Sequence, residues 1–273
     1  MTDVLEFTVL GCGSSGGVPR ADGNWGACNP ADPRNRRSRC SLLLRRKNSA
    51  TPESWTTILI DASPDLRTQT AGAGARRLDA VLLTHDHADQ VHGIDDVRAF
   101  AINQRGRIPT YMDDATKRTM LRRFSYIFNA KGGYPAICEA VPMPPLGHRW
   151  QLDGPSGAIP VLAFDQDHGG VRSLGFRFGE VGYCSDVVGL PDSAMEALAG
   201  VEVLIVDALR YRPHPTHATV AQALEWIAAL KPKRAILTNM HIDLDFATLA
   251  GELPEGVEPG HDGLRFSTPV HNL

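Results

Sequence analysis

A chain of 273 residues, 42% hydrophobic and 22% charged, is long enough to bury one large core and ordinary enough to be globular, so one unit over 1–273 is expected. Its formal net charge of −3 excludes a general basic field for nucleic acid or anionic membrane. No stretch approaches the ~20 apolar residues of a membrane span, and five scattered cysteines without a CxxC pair argue against a disulfide framework or a cysteine zinc knuckle. With no leader-like start in MTDVLEFTVLGCG, a cytoplasmic protein without membrane contact is expected.

In chain order, short apolar runs bounded by Gly, Pro, Asp and Asn predict strands at EFTVLG, CSLLLRR, WTTILID and DAVLLT, and then at AIPVLAF, LGFRF, VGYCS, VEVLIVD and RAILTN. Helical periodicity fits 65–73, 93–103, 113–124 and 216–230; in the last, Val220, Leu224, Ile227 and Leu230 share one side and Pro232 follows. Strand-rich blocks separated by helices predict sheet packed on sheet with helices outside. Two stretches, 12–39 and 125–150, carry too much Gly and Pro for regular elements and are expected to be loops that line a pocket.

The first strand runs into GCGSSGG, whose Gly11, Gly13 and Gly16 fit a dinucleotide GxGxxG and which also reads as GxSxG around Ser15. Both motifs need a helix to start at once, and GVPRADGNWG cannot sustain one. A tight turn beside the site is the expectation.

The segment LLTHDHADQVHG is different in kind. Alternate side chains at a strand end point into one cleft, so His85 and His87 can share a metal ion, with Asp89 within reach of a neighbouring one. An isolated HxH is more often a surface pair. Here separated polar residues follow at later strand ends: His168 in FDQDHGG, Asp186 in GYCSDV and His241 in LTNMHIDLD, with Asp61 in ILIDASPD upstream.

With these elements in this order the chain resembles the metallo-β-lactamase superfamily from Asp61 to His241. LGCGSSGGVPR, DPRNRRSRCSLLL, HADQVHGIDDVRAF and HPTHATVAQALEWI are similar to its branch of phosphonate-pathway cyclic phosphodiesterases and transfer-RNA 3′ processing nucleases. The resemblance implies an α/β (α+β) fold, the four-layer αββα sandwich of two mixed sheets face to face with helices outside. It also implies one or two divalent ions, zinc or manganese. His85, His87 and His168 would hold the first, Asp186 would bridge, and Asp89, also a catalytic carboxylate, and His241 would hold the second, with Asp61 and Gln90 behind them.

Gln90 stands where the family carries a further His, so the second position is expected to be weakened. His92 is a possible replacement, although the chain is turning into a helix there. The branch's cysteine-rich structural zinc site retains only Cys28, so no structural zinc is expected. In the branch a histidine before the late helix is the general acid. His217 matches that position, against the plain alternative of a histidine at a helix start, and His214 is the weaker candidate. Ser15, Arg37, Arg98 and His214 are candidate substrate contacts; Arg98 reads equally well as a surface partner of Asp95 or Asp96.

The implied reaction is attack of a metal-activated hydroxide on a small cyclic or nucleotide phosphodiester. Two other readings stand beside it: a transfer-RNA 3′ endonuclease, disfavoured by the acidic balance, and a non-catalytic nucleotide-binding protein of the same fold. A homodimer is compatible with all three.

Overall fold

Alternation along the first strands decides which side of the first sheet each residue serves. In the computed structural model, which describes residues 3–48 and 53–270, Leu42 and Leu44, Ile58 and Ile60, and Ala80 and Leu82 enter the core between the sheets. The intervening Leu43, Leu59 and Val81 enter a second core under the helices.

The first sheet takes β1 (Val4–Gly11), β2 (Ser41–Lys47), β3 (Trp55–Ile60), β4 (Ala80–Leu82), β5 (Ile108–Met112) and β6 (Cys138–Pro142). The chain then builds the second sheet from β7 (Arg149–Leu152), β8 (Ile159–His168), β9 (Val171–Phe178), β10 (Val181–Cys184), β11 (Val203–Asp207), β12 (Arg234–Thr238) and β13 (Val257–Pro259), and returns to the first with β14 (Arg265–Pro269). The spatial orders are β14-β1-β2-β3-β4-β5-β6 and β13-β12-β11-β10-β9-β8-β7, each mixed.

Helices α1 (Leu66–Gly72), α2 (Ala88–Val91), α3 (Arg98–Gln104), α4 (Asp114–Arg123) and α5 (Ser125–Phe128) cover the first sheet, and α6 (Asp192–Leu198), α7 (Val220–Leu230) and α8 (Phe246–Glu252) belong to the second. This is the αββα sandwich. Among the described residues no helix is long and apolar enough to cross a membrane.

Three differences from the sequence reading matter. β4 stops at Leu82, so His85 and His87 lie in the connection to α2 and not on the strand itself. The late helix starts at Val220, not 216, because Thr219 forms a capping box with Gln222; residues 213–218 are left non-helical and carry His214 and His217. The stretch 125–150 contains α5, β6 and part of β7. The glycine-rich turn is as expected: Gly11 and Gly13 lie so close to Arg39 and Arg37 that a Cβ on either would clash with neighbouring backbone.

The early loop is tied down by one carboxylate. Asp245 caps α8 by accepting from Thr248 N at 3.0 Å, and also accepts from Asn29 N at 2.9 Å and Asn35 Nδ2 at 2.8 Å. Burial pushes its carboxyl up, but these hydrogen bonds outweigh it and bring the pKa from 3.8 down to about 2. A depressed carboxyl stabilises the fold above its unfolded value, and that contribution is lost as pH falls through about 2. Asp245→Ala is therefore expected to cost ~1–3 kcal/mol at pH 7, with the deficit shrinking below pH 4. Urea unfolding of both proteins between pH 2 and 7 checks this.

Candidate metal centre and active site

Three strand ends turn into the cleft on an Asp or Asn in the left-handed region: Asp61 after β3 (φ 60°), Asp186 after β10 (φ 52°) and Asn239 after β12 (φ 59°). These residue types tolerate that conformation best, and it throws a short polar side chain sharply out of the strand line. His168 ends β8 and Asp207 ends β11 at the same edge.

The three imidazoles meet. One nitrogen each of His85, His87 and His168 lies within 4.8 Å of the others, and the ring centroids are 4.5, 5.0 and 5.1 Å apart. The nitrogens facing away are held. Thr84 Oγ1 lies 3.0 and 2.9 Å from the two Asp61 oxygens and 3.0 Å from His85 Nδ1. With Asp61 ionised, the hydroxyl proton goes to the carboxylate, and His85 Nδ1–H then donates to Thr84 while Nε2 keeps its lone pair. His168 Nδ1–H donates to the Thr216 carbonyl at 2.7 Å, which leaves its Nε2 bare, 3.3 Å from His87 Nδ1.

Burial and the neighbouring rings keep His85 well below the usual histidine range, and burial brings His168 down to about 4. Both are neutral at pH 7, the form that binds metal. His85 Nε2 is buried without a hydrogen-bond partner, and the gap between His168 Nε2 and His87 Nδ1 calls for a proton or a cation. These donors fit a divalent metal ion. Asp61, wholly buried, is pushed up to about 8 by burial against the opposing Thr84 bonds; it acts through Thr84, behind the ligand.

Asp186 and His217 form a second close group with His168. His217 Nδ1 lies 2.8 Å from Asp207 Oδ2 and 4.0 Å from Asp186 Oδ1, and its ring is 4.7 Å from His168 and 5.0 Å from His214. Asp207 is wholly buried; burial raises its carboxyl, while His217, Val187 N and Asn239 Nδ2 pull it back. Asp207 and Asn239, like Thr84, are site residues that the sequence analysis does not single out. Each closes an otherwise apolar strand run with a polar residue, the same signal that marked Asp61.

Other expected residues are placed differently. His241 does not join either close group: Arg20 donates to its Nε2, and its Nδ1 lies 3.1 Å from Asp243 Oδ2 without a hydrogen bond. Asn239, two residues earlier, is the one that reaches Asp186. Gln90 Nε2 donates to Asp186 Oδ2 at 3.0 Å. Asp89 is half-buried and close enough to raise the Asp186 and Asp61 carboxyls, but is outside both groups.

His92 is exposed and packs against Phe124, so it does not replace a ligand. Arg37 is 1% exposed and bonds the His241 carbonyl and Asn35, which corrects its expected substrate role. Arg98 pairs with Asp95 at 2.5 Å, as its plainer reading has it. Ser15 is exposed on the glycine turn, and His214 is half-buried beside His217. Cys28 is buried and free, its thiol directed at the Ile242 and Leu244 carbonyls.

A face-to-face αββα sandwich with imidazoles and carboxylates gathered at the strand ends defines the metallo-β-lactamase class. The chain belongs to the beta-lactamase superfamily domain family, whose model matches residues 56–242, and within it to the PhnP/RNase Z-like branch. The crystal structure of a diphosphatase from the PhnP family superposes with a TM-score of 0.85 at 32% identity, covering 98% of each chain. Human tRNase Z, short form, superposes at 0.65 with 16% identity over 97% of this chain and all of that one, a likeness of fold. An octanoyltransferase of Porphyromonas gingivalis is 31% identical over 268 residues, 95% of this chain and 51% of that protein. The chain thus spans about half the length of that curated relative.

Proposed function

We propose that the protein is a metal-dependent phosphodiesterase acting on small cyclic or nucleotide phosphodiesters. The observation that carries this reading is the position of His217, backed by buried Asp207 and 4.7 Å from a histidine of the three-imidazole cradle. A proton donor thus stands beside the place where a phosphate would be held. The similar PhnP-family diphosphatase supports phosphorus chemistry.

His85, His87 and His168 would hold the ion, zinc or manganese, with three nitrogen donors favouring zinc. When bound, the ion supplies Lewis-acid polarisation of the phosphoryl group and an activated water. The remaining work falls to side chains. Asp207 holds His217 Nδ1–H and stabilises the imidazolium form, in which Nε2 also carries a proton and can give it to the departing alkoxide. Asp89, half-buried near Asp186, orients the attacking water, and His214 at the rim contacts substrate. Five free, buried cysteines suit a reducing cytoplasm, which is part of the same proposal.

The test is a panel of 2′,3′-cyclic nucleotides, nucleoside diphosphate esters, an aryl phosphodiester and precursor transfer RNA, with chelator and metal-restored controls. The proposal expects turnover of the small diesters that chelator abolishes and metal restores. Cleavage of precursor RNA alone would move the protein to the RNA-processing reading, and no turnover with any ion would move it to a binding role.

A further inference from the structure

Carboxamides stand on both sides of Asp186. Gln90 Nε2 donates to Oδ2 at 3.0 Å, and Asn239 Nδ2, which also lies 3.0 Å from His217 Nδ1 and 3.3 Å from Asp207 Oδ2, approaches Oδ1 at 3.4 Å. Each N–H group takes up one of the lone-pair directions through which the carboxylate could be shared with a second cation. Both amides are fixed parts of the core. Gln90 and Asn239 are 0% exposed, the Gln90 carbonyl accepts from Ala62 N at 2.7 Å, and Asn239 turns at the end of β12. Among the described residues the imidazole nearest this spot, that of His217 at 4.0 Å from Asp186 Oδ1, is held by Asp207, while His92 faces Phe124 and His241 Nε2 meets Arg20.

We propose that the protein holds one metal ion per chain, between His85, His87 and His168, and that Gln90 and Asn239 fill the place of a second by hydrogen-bonding Asp186. The proposal rests on the three-imidazole cradle of the functional reading. Asp186 then serves as a hydrogen-bonded anion beside the ion, and the amide N–H groups do the neutralising that a second cation would do. The amide oxygens of Gln90 and Asn239 have no protein partner. An ion entering on that side would therefore meet oxygen donors, so hard ions are the strongest challenge to the proposal.

The experiment saturates the full chain separately with Zn²⁺, Mn²⁺ and Mg²⁺, and measures retained metal per folded chain by plasma mass spectrometry, with titration calorimetry for weakly held ions. One Zn²⁺ per wild-type chain is expected, none in His85→Ala, and two in Gln90→His/Asn239→His. Two ions of any kind per wild-type chain would overturn the proposal. A folded double variant still limited to one would overturn the role given to the amides. No ion in folded wild type would remove the cradle itself, and with it the functional reading, a different failure. If the double variant does not fold, the wild-type stoichiometry decides alone.

Discussion

Replacing His217 with alanine is expected to lower turnover of an alkyl phosphodiester by about 10²–10⁴-fold, or ~2.7–5.5 kcal/mol of barrier, the usual worth of a positioned proton donor. An aryl diester, whose leaving group departs without a proton, should lose far less. Equal losses on both substrates would remove His217 from the proton-donor role. The buried partner gives a second arm. Asp207 is 0% exposed and holds His217 Nδ1 at 2.8 Å, so Asp207→Asn places an amide where a carboxylate fixed the tautomer. It should show the same alkyl-selective loss while metal content stays unchanged.

The other large effect is expected from the cradle. His168→Ala and His85→Ala should reduce activity to background together with retained metal, because each removes one of three converging nitrogens. The supporting bonds predict a graded series. Thr84→Val severs the link from Asp61 to His85 Nδ1 and should weaken metal affinity by about 10–100-fold without abolishing it. Metal titration of the three variants checks the order, and a Thr84→Val protein with wild-type affinity would dismiss the Asp61 link.

Nine strands were legible as apolar runs, and those not foreseen have a common reason. β6, β7, β13 and β14 are the four edges of the two sheets, and β5 lies next to an edge. An edge strand can be short and half-exposed, as RWQL is, and can carry proline, as CEAVP, VEP and RFSTP do, so no long apolar run marks it. The short helices α2 and α5, four residues each, are too brief for a periodicity to register.

In the site, residue type was a good guide where a histidine ends or closely follows a strand, as at His85, His87 and His168. It is a poorer guide at His241, where the strand ends three residues earlier and the left-handed turn at Asn239 brings that amide towards Asp186. Arg37 shows the same limit. Charge suggested a phosphate contact, whereas Arg37, within the 12–39 loop, turns inward, is buried and donates to the His241 carbonyl and Asn35.

The most direct measurement is X-ray absorption at the metal edge of the zinc-loaded protein, repeated on His168→Ala. Scattering from three imidazoles in wild type, and from fewer with weakened retention in the variant, is the result this account predicts. A thiolate signal, or an unchanged imidazole count in His168→Ala, would contradict it.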